Sequence, residues 1–396
     1  MTMTPGLRQA LLAIIVAGVS LDTLVYGLVV PMLPQLGAEF EFGQTAAGVL
    51  LGSYAFGLCV ATPLIGLGIR RWGYRVPLIA GIGGLALVLV LFLLAESFTA
   101  MVVARTLQGA TSGATWTAGL AIIADQWPAR ERGRTMGLVM TGFAVGLMAG
   151  PPLGGFVSDW FGVAAAFVLP AMVAFALTVA AALVLVRLHP GHSVPHAHPG
   201  RLLADPGVIG LAIVVAAVAA VMGLLEPTLP LFLEQRFGSS AGTIGVLFGL
   251  IAMAFGLASP LAGHSADQWG AVATIRRGAA PLILILPLFA LAPGAWWTAP
   301  LFIATGLFCA LVLGPALPGL AARVDRHEGQ SYAVAYAVFN LAFAVGLLIG
   351  PLAGAALAEQ FGLMPTLLLT AALIAAGLPG LRRLGQIDGL AQGFTK

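Results

Sequence analysis

The chain has 396 residues, of which 60% are hydrophobic and only 8% are charged, and its formal net charge is +3. Soluble domains carry about 25% charged residues, so this composition excludes a water-soluble globular protein and indicates that lipid surrounds most of the chain. The only lysine is Lys396, which excludes a GxxxxGK[ST] phosphate-binding loop and, with it, a self-contained ATP-driven pump.

Twelve apolar segments are long enough to cross a bilayer, which takes about 20 residues in a helix. They are continuous apolar runs rather than short alternating strands, which favours helices over a β-barrel. The sequence therefore predicts an all-α membrane protein with twelve transmembrane spans. The spans lie near residues 10–36, 43–68, 75–95, 98–124, 134–158, 161–187, 207–233, 241–266, 271–293, 297–322, 331–358 and 362–381.

The charges in the connections indicate the orientation of the spans. Sixteen of the eighteen Lys and Arg residues fall at the N-terminus, in the even-numbered connections or in the C-terminal tail. The odd-numbered connections carry mainly acids. Because basic residues remain on the cytoplasmic side of a membrane, we expect both termini to be cytoplasmic.

The two halves of the chain repeat each other in the same order. "GFAVGLMAGPPLGGFVSDWFG" at 142–162 recurs as "AFAVGLLIGPLAGAALAEQFG" at 342–362, and "PLIGLGIRRWG" at 63–73 matches "PLAGHSADQWG" at 260–270. This order indicates a parallel duplication of a six-span unit.

The repeat predicts two six-helix bundles, at 1–187 and 206–396, joined by a cytoplasmic linker at 188–205. The linker is polar and rich in Pro and Gly, which favours a flexible tether. A metal site remains an alternative there, because the linker contains His189, His192, His196 and His198.

Glycines recur every four residues in span 5 and form a bare stripe that lets a neighbouring helix approach closely. Gly150 belongs to this stripe, and Pro151 after it interrupts the backbone hydrogen bonds and allows a bend. Gly350 and Pro351 repeat the arrangement in span 11. We expect these residues to serve packing, gating or both.

Three charged residues lie well inside the spans: Asp22, Arg105 and Glu226. Each costs at least about 2.5–3.5 kcal/mol at the bilayer centre, which makes it a candidate functional residue. Arg105 shares a helix face with Gln108 and Gly109, where its guanidinium could hold a carboxylate or backbone carbonyls. A structural ion pair that fixes helix packing is the alternative role for each charge.

Asp22 and Glu226 lie on spans 1 and 7, which are equivalent in the repeat, and we expect both to line the central cavity between the halves. A carboxylate there can hold a proton or an organic cation but not both, which is the minimal requirement for antiport. We expect Glu226 to be the main proton carrier and Asp22 mainly to hold the cation.

Aromatic rings near these positions suit a cationic ligand through cation–π attraction. Tyr26 is one turn from Asp22, Phe255 lies in the middle of span 8, and Phe343 follows Asn340 by three residues. We include these residues in the predicted substrate site, although single rings in spans more often serve packing.

Several of these motifs resemble the major facilitator superfamily over essentially the whole chain. "GLGIRRWGYR" resembles its loop signature between helices 2 and 3, and "RTLQG" its helix 4 arginine motif. "GFAVGLMAGPPLGG" is similar to the helix 5 motif of drug:proton antiporters. The resemblance implies a twelve-helix major facilitator fold without a cofactor or metal.

A closer resemblance is to the vesicular monoamine and acetylcholine transporters, through "LDTLVYGLVVPMLP", "GLLEPTLP" and "AVFNLAFAVGLLIGPLAG". Bacterial relatives of that group are multidrug exporters, so the resemblance implies a multi-pass protein of a bacterial inner membrane. We expect a monomer whose partners are a small cationic substrate, protons and lipid, with no nucleic acid.

The resemblance also implies roles for single residues. Asp22 matches the helix 1 aspartate that meets the amine, and Glu226 matches the helix 7 glutamate before a proline. Tyr54 stands where the vesicular transporters have a lysine, and Leu313 and Asn340 stand where they have aspartates. Fewer groups are therefore left to carry protons, and Tyr54 and Asn340 join the predicted substrate site.

The loop signature departs from the family at one position, because Arg70 replaces its usual aspartate, while Asp267 keeps the acid in the second half. We expect Arg71 and Asp267 to act in the cytoplasmic gates, and Arg105 to have a gating or structural role.

These observations predict a proton-coupled antiporter that exports organic cations, amines or lipophilic drugs by alternating access. An exporter of a neutral solute, such as a sugar or a biosynthetic product, is the main alternative. A non-transporting membrane sensor stays open. An enzyme is not expected, because the sequence has neither a metal constellation nor a nucleophile–base pair at recognisable spacing.

Overall fold

The structure is a computed structural model, and it describes residues 5–186, 205–324 and 332–392, which contain helices and no strands. The first half contains α1 (Pro5–Glu39), α2 (Gln44–Trp72), α3 (Arg75–Leu93), α4 (Phe98–Gln126), α5 (Ala129–Phe161) and α6 (Ala165–Leu185). The second half contains α7 (Pro206–Phe237), α8 (Ala241–Trp269), α9 (Ala271–Leu291), α10 (Ala299–Leu313), α11 (Ala316–Val324), α12 (Tyr332–Phe361) and α13 (Leu363–Gln392).

Within these described ranges, eleven helical segments are long and apolar enough to cross a membrane, which confirms the prediction of an all-α multi-pass protein. The twelfth predicted span is α4, which has 29 residues and therefore the length to cross. It is less apolar than the others because its buried face carries Arg105, Gln108, Ser112 and Thr115. The helix α4 thus contributes four of the buried polar side chains of the first half.

Span 10 is interrupted, although the sequence analysis treated residues 297–322 as one run. The helix α10 ends at Leu313, and α11 begins at Ala316. Pro315 has no backbone N–H and its ring opposes the carbonyl group one turn earlier, so it ends the helix before it.

The helices form two compact units. Of the described residues, the first unit contains α1–α6 and Gly238–Gly249, and the second contains α7, the rest of α8 from Leu250, and α9–α13. The predicted halves placed residues 238–249 with the second bundle. The first turns of α8 join the first unit because they pack on α5, where a Cβ at Gly155 would overlap the Ala241 carbonyl group.

The glycine stripes give each unit a tightly packed helix pair. In the first unit, α5 lies so close to α1 that a Cβ at Gly150 would lie 2.5 Å from the Leu24 carbonyl oxygen. In the second unit, α12 packs on α7, and a Cβ at Gly350 would overlap the Ala220 carbonyl oxygen. The close approach that the stripes predict is therefore present in both units.

Candidate functional site

A buried polar cluster lies in the first unit, on α1, α2 and α4. Asp22 is only 1% exposed, and its Oδ2 accepts a 2.5 Å hydrogen bond from the Ser112 hydroxyl. The Ser112 oxygen in turn accepts a 2.9 Å hydrogen bond from the Tyr54 hydroxyl. Three helices thus contribute to one chain of hydrogen bonds that ends on the carboxyl group.

Close packing of α2 on α4 brings Tyr54 to Ser112. A Cβ at Gly109 would overlap the Tyr54 carbonyl oxygen, and a Cβ at Gly57 would overlap the Thr106 carbonyl oxygen. Two glycines on facing helices therefore allow backbone contact. Because the two helices are so close, the Tyr54 hydroxyl reaches Ser112, which lies about one turn after Gly109 on α4.

Arg105 lies beside this chain and is fully buried. Its Nη1 donates a 2.7 Å hydrogen bond to Gln108 Oε1. Its guanidinium carbon lies 5.3 Å from the centroid of the Tyr26 ring and 5.5 Å from that of the Tyr54 ring. The two rings are themselves in contact, with centroids 4.7 Å apart. Tyr26 and Tyr54, predicted to meet a cationic substrate, thus face the cation of Arg105.

The carboxyl group of Asp22 has further neighbours on α4. The indole of Trp116 and the charge of Arg105 both act on it. Among the described residues, its buried Oδ1 accepts no hydrogen bond, and the buried Gln108 Nε2 donates none. A buried polar atom without a partner costs about 1–3 kcal/mol, so such atoms are rare outside functional sites.

Ser112 and Trp116 were missed by the sequence analysis. Ser112 follows Arg105 by seven residues, so it lies two turns further along the same face of α4. The sequence shows the spacing of Arg105 and Ser112. It does not show which face of α4 packs against Asp22. The earlier assignment of Arg105 and Gln108 to one face agrees with their hydrogen bond.

In the second unit, two of the predicted aromatic residues meet around Leu313. Phe255 and Phe343 both pack against the cluster of Val215, Leu313 and Ala316. Leu313 is 8% exposed in these apolar surroundings, which suit a leucine and would not solvate a carboxylate.

The other predicted residues of the second unit have different surroundings. Asn340 is exposed on α12, and Glu226 is half-buried on α7. Asp267 is exposed near the end of α8, as is Arg71 near the end of α2 in the first unit. None of these four is assigned a role by its contacts.

The two predicted proline positions contact equivalent glycines. The Pro151 ring lies against Gly27 of α1, where a Cβ would be 2.8 Å from the ring. The Pro351 ring lies against Gly223 of α7 at the same distance. The repeat in sequence is thus a repeat in packing within each unit.

Asp159, at the end of α5, is a carboxylate that joins α5 to α1 and to the start of α8. Its Oδ2 accepts a 2.7 Å hydrogen bond from the Gly242 backbone N–H, and its Oδ1 accepts one of 3.2 Å from Ala241. The Gln35 amide donates to the same Oδ1 at 3.1 Å.

The described residues contain no group of three or more His, Cys, Asp and Glu side chains placed to hold a metal. The four linker histidines, for which a metal site was left open, lie outside those residues.

Comparison with known proteins places this architecture in a family. The model of the Major Facilitator Superfamily matches residues 15–327 and 211–384. The human chromaffin granule amine transporter is 30% identical over 323 residues, which cover 80% of this chain and 61% of that protein. The rat synaptic vesicular amine transporter is 28% identical, over 80% of this chain and 62% of that protein. This chain therefore spans about three fifths of the length of these relatives.

Solved structures share the fold at low identity. An inward-facing, occupied bacterial homologue of the human lysosomal transporter Spinster superposes with a TM-score of 0.80 at 15% identity, covering 97% of this chain and 98% of that one. The nucleoside transporter NupG superposes with a TM-score of 0.72 at 13% identity, covering 96% and 99%. The chain belongs to the Major Facilitator Superfamily.

Proposed function

We propose that this chain is a proton-coupled antiporter that exports organic cations, including amines and lipophilic drugs, by alternating access. The observation that carries the proposal is the position of Asp22, an acid buried in a membrane span whose Oδ2 is bound by a hydroxyl group. The names of the related amine transporters give independent support for an amine or a similar cation.

A hydroxyl partner suits exchange because it can donate to a carboxylate and accept from a carboxylic acid. Asp22 can therefore be ionised or protonated without losing its bond to Ser112. When ionised, it attracts an organic cation, and when protonated it does not. Proton and cation thus exclude each other at one carboxyl group, which couples their movement in opposite directions.

The hydrogen bond from Ser112 supports a larger share of proton exchange for Asp22 than the sequence analysis gave it. We propose that Asp22 takes part in proton exchange as well as cation binding, and that Glu226 carries a second proton. Glu226 is the only acid in the interior of the second-half spans. With Leu313 and Asn340 in place of two family acids, these two carboxyl groups are the proton-exchanging groups that we assign.

The proposal also covers the oligomeric state of the chain, its membrane and its orientation. We propose a monomer in a bacterial inner membrane with both termini in the cytoplasm, in agreement with the basic connections. The two halves at 1–187 and 206–396, joined by the linker at 188–205, are proposed as the bundles that alternate.

Uptake into proteoliposomes with an acidic interior tests this function. Ethidium is the probe because its permanent charge prevents it from crossing the bilayer as a neutral base and becoming trapped. We expect the pH gradient to raise ethidium uptake several-fold over vesicles without a gradient, with protein-free vesicles as the blank.

The alternatives give different results in the same assay. Accumulation of a neutral sugar such as lactose, but not of ethidium, would replace the cation with a neutral solute as the cargo. If neither probe responds to the gradient, proton-coupled antiport is wrong for this chain.

A further inference from the structure

A group of arginines lies where spans of the first unit end, at the connections between α2 and α3 and between α4 and α5. We propose that these arginines form a surface that binds the headgroup of an anionic phospholipid. The surface, called the basic surface from here on, consists of Arg71, Arg75, Arg130 and Arg134. This inference goes beyond the proposed function and does not depend on it.

Positive charge is distributed unequally between the two halves of the repeat. Residues 70–80 and 125–134 together contain six arginines and two acids, which gives a formal charge of +4 with histidine neutral. The equivalent residues of the second half, 267–277 and 325–334, contain three arginines and three acids, which gives a charge of zero. Membrane orientation acts on both halves alike, so it does not explain this difference. The surplus in the first half therefore indicates an anionic partner.

Hydrogen bonds bring the two basic connections of the first unit together. The Tyr74 hydroxyl donates a 2.9 Å hydrogen bond to Asp125 Oδ2, and the Gln126 amide donates one of 2.8 Å to the Tyr74 oxygen. Arg132 holds the start of α5 to the end of α4, because its Nε donates a 2.9 Å hydrogen bond to the Trp127 carbonyl oxygen. The arginines that flank these bonds therefore lie at one end of the first unit.

The charges of the basic surface are not neutralised by the described part of the chain. No carboxylate there forms an ion pair with any of its four arginines, of which three are exposed and Arg75 is half-buried. In the second unit, by contrast, Arg323 pairs with Asp205, and the Arg277 guanidinium lies 3.9 Å from the centroid of the Trp269 ring. A guanidinium without a carboxylate keeps its donors for a phosphate, which it can bind through two parallel hydrogen bonds.

The position of the basic surface favours a lipid over a soluble anion. Arg71 and Arg75 lie at the end of α2 and the start of α3, two helices that are long and apolar enough to cross a membrane. Trp72 between them is 61% exposed, and its ring lies against Gly68, one turn earlier in α2. Exposed tryptophans favour the membrane–water interface, where an anionic leaflet attracts nearby arginines. At the level of the Trp72 ring, the anion is the phosphate of a lipid headgroup.

Native mass spectrometry of the purified full-length chain in detergent tests the inference by counting bound lipids. The probes are phosphatidylglycerol and phosphatidylcholine with the same acyl chains. We expect the wild type to bind phosphatidylglycerol at least about tenfold more tightly, because several arginines act on one negative headgroup. The double variant Arg130→Gln/Arg134→Gln should reduce this preference several-fold. Both of its positions are exposed, so it should fold normally, and thermal unfolding checks that it does.

Two further double variants complete the design. Arg71→Gln/Arg75→Gln should also reduce the preference several-fold, and all four substitutions together should abolish it. Arg276→Gln/Arg277→Gln is the matched control, because it removes the same charge from the equivalent connection of the second half. It should leave the preference for phosphatidylglycerol close to that of the wild type.

Three results would overturn the inference. Equal affinity of the wild type for the two lipids would show that the surface does not select an anionic headgroup. An unchanged preference in the variants of the basic surface, or an equal loss in the control, would show that these arginines form no particular site. Displacement of phosphatidylglycerol by inorganic phosphate, compared with chloride at the same ionic strength, would show a site for soluble phosphate instead of lipid. The antiport proposal is tested by ethidium uptake and is independent of all three.

Discussion

Two carboxylates of this chain, Asp22 and Asp205, are held in contrasting ways. Asp22 receives a hydroxyl group from Ser112 inside a membrane span. Asp205, just before α7, receives the Arg323 guanidinium at 2.6 Å and the Gly207 N–H at 2.7 Å. A guanidinium and a helix N-terminus both require a negative charge, whereas a hydroxyl accepts either protonation state. From this difference in partners we expect Asp22 to be able to exchange a proton and Asp205 to stay ionised.

The electrostatics of Asp205 agree with a structural role. Its partial burial alone would raise the pKa of the carboxyl group. The backbone N–H groups of Gly207 and Val208 and the positive charge of Arg323 outweigh that effect and lower the pKa below its usual value. Asp205 thus stays ionised, caps α7 and joins it to Arg323 at the end of α11.

Removing the charge of Asp22 should have the largest effect on transport. Asp22→Asn keeps the size of the side chain, but it should lower affinity for a cation by more than about tenfold, because it removes the opposite charge. The pH dependence of cation affinity should disappear with it. Binding of ethidium at several pH values, measured beside gradient-driven uptake, checks both expectations.

Glu226→Gln is the matched comparison for this variant. It should still bind the cation with pH-dependent affinity, because Asp22 is intact, and it should accumulate less cation in the uptake assay. If pH dependence instead survives in Asp22→Asn and vanishes in Glu226→Gln, Glu226 is the main proton carrier, as the sequence analysis predicted.

Removing the charge of Asp205 should affect stability rather than transport specificity. Asp205→Asn leaves the buried Arg323 without its carboxylate, and we expect a loss of about 1–3 kcal/mol in the free energy of unfolding at pH 7. Because the folded-state pKa is lowered, this stabilisation is present above the unfolded value of about 3.9 and is lost as the pH falls below it.

Thermal unfolding in detergent between neutral and acidic pH measures this contribution. The wild type and Asp205→Asn should differ at pH 7 and converge as the carboxyl group is protonated near pH 4 and below. Gly207→Ala should destabilise the protein as well, because its Cβ would displace the Arg323 guanidinium from the position in which it pairs with Asp205. Gly256→Ala is the control, since nothing lies within 4 Å of the added carbon. A constant difference at every pH would contradict the assignment.

The sequence predicted the fold closely because the solvent constrains it. In lipid, backbone polar groups must be satisfied within a helix, so long apolar runs leave little freedom. The glycine stripe in span 5 also predicted a close helix partner, and α1 lies there. The chemistry of proline allows a break at Pro315. The sequence analysis did not predict it, because the residues on both sides form one continuous apolar run.

The site was predicted only in part, because it depends on helix rotation and register. Charge and burial cost were enough to select Asp22 and Arg105. They could not select Ser112, because serine is common in spans and only the packing of α1 on α4 brings its hydroxyl to Asp22. Nor could they show that Tyr26 and Tyr54 face Arg105.

Asp159 differs from both Asp22 and Asp205, because it accepts hydrogen bonds from the backbone N–H groups of another helix. Its bonds to Ala241 and Gly242 hold the start of α8 against α5. A negative charge at a helix N-terminus contributes about 0.3–1 kcal/mol at exposed sites and up to about 2 when partly buried. Asp159→Asn keeps one acceptor oxygen but removes the charge, so we expect this contact to open several-fold more often.

Labelling of a single cysteine measures that opening. In a chain whose Cys59 and Cys309 are replaced by alanine, Ala241→Cys places a thiol at a position that is 4% exposed, where a maleimide reaches it only when the contact opens. The labelling rate should rise several-fold on addition of Asp159→Asn. Glu96→Gln, which neutralises an exposed acid in another odd-numbered connection, should leave the rate unchanged. Equal rates in all three backgrounds would show that the Asp159 charge does not hold α8 on α5, and the glycine contacts would then account for the packing alone.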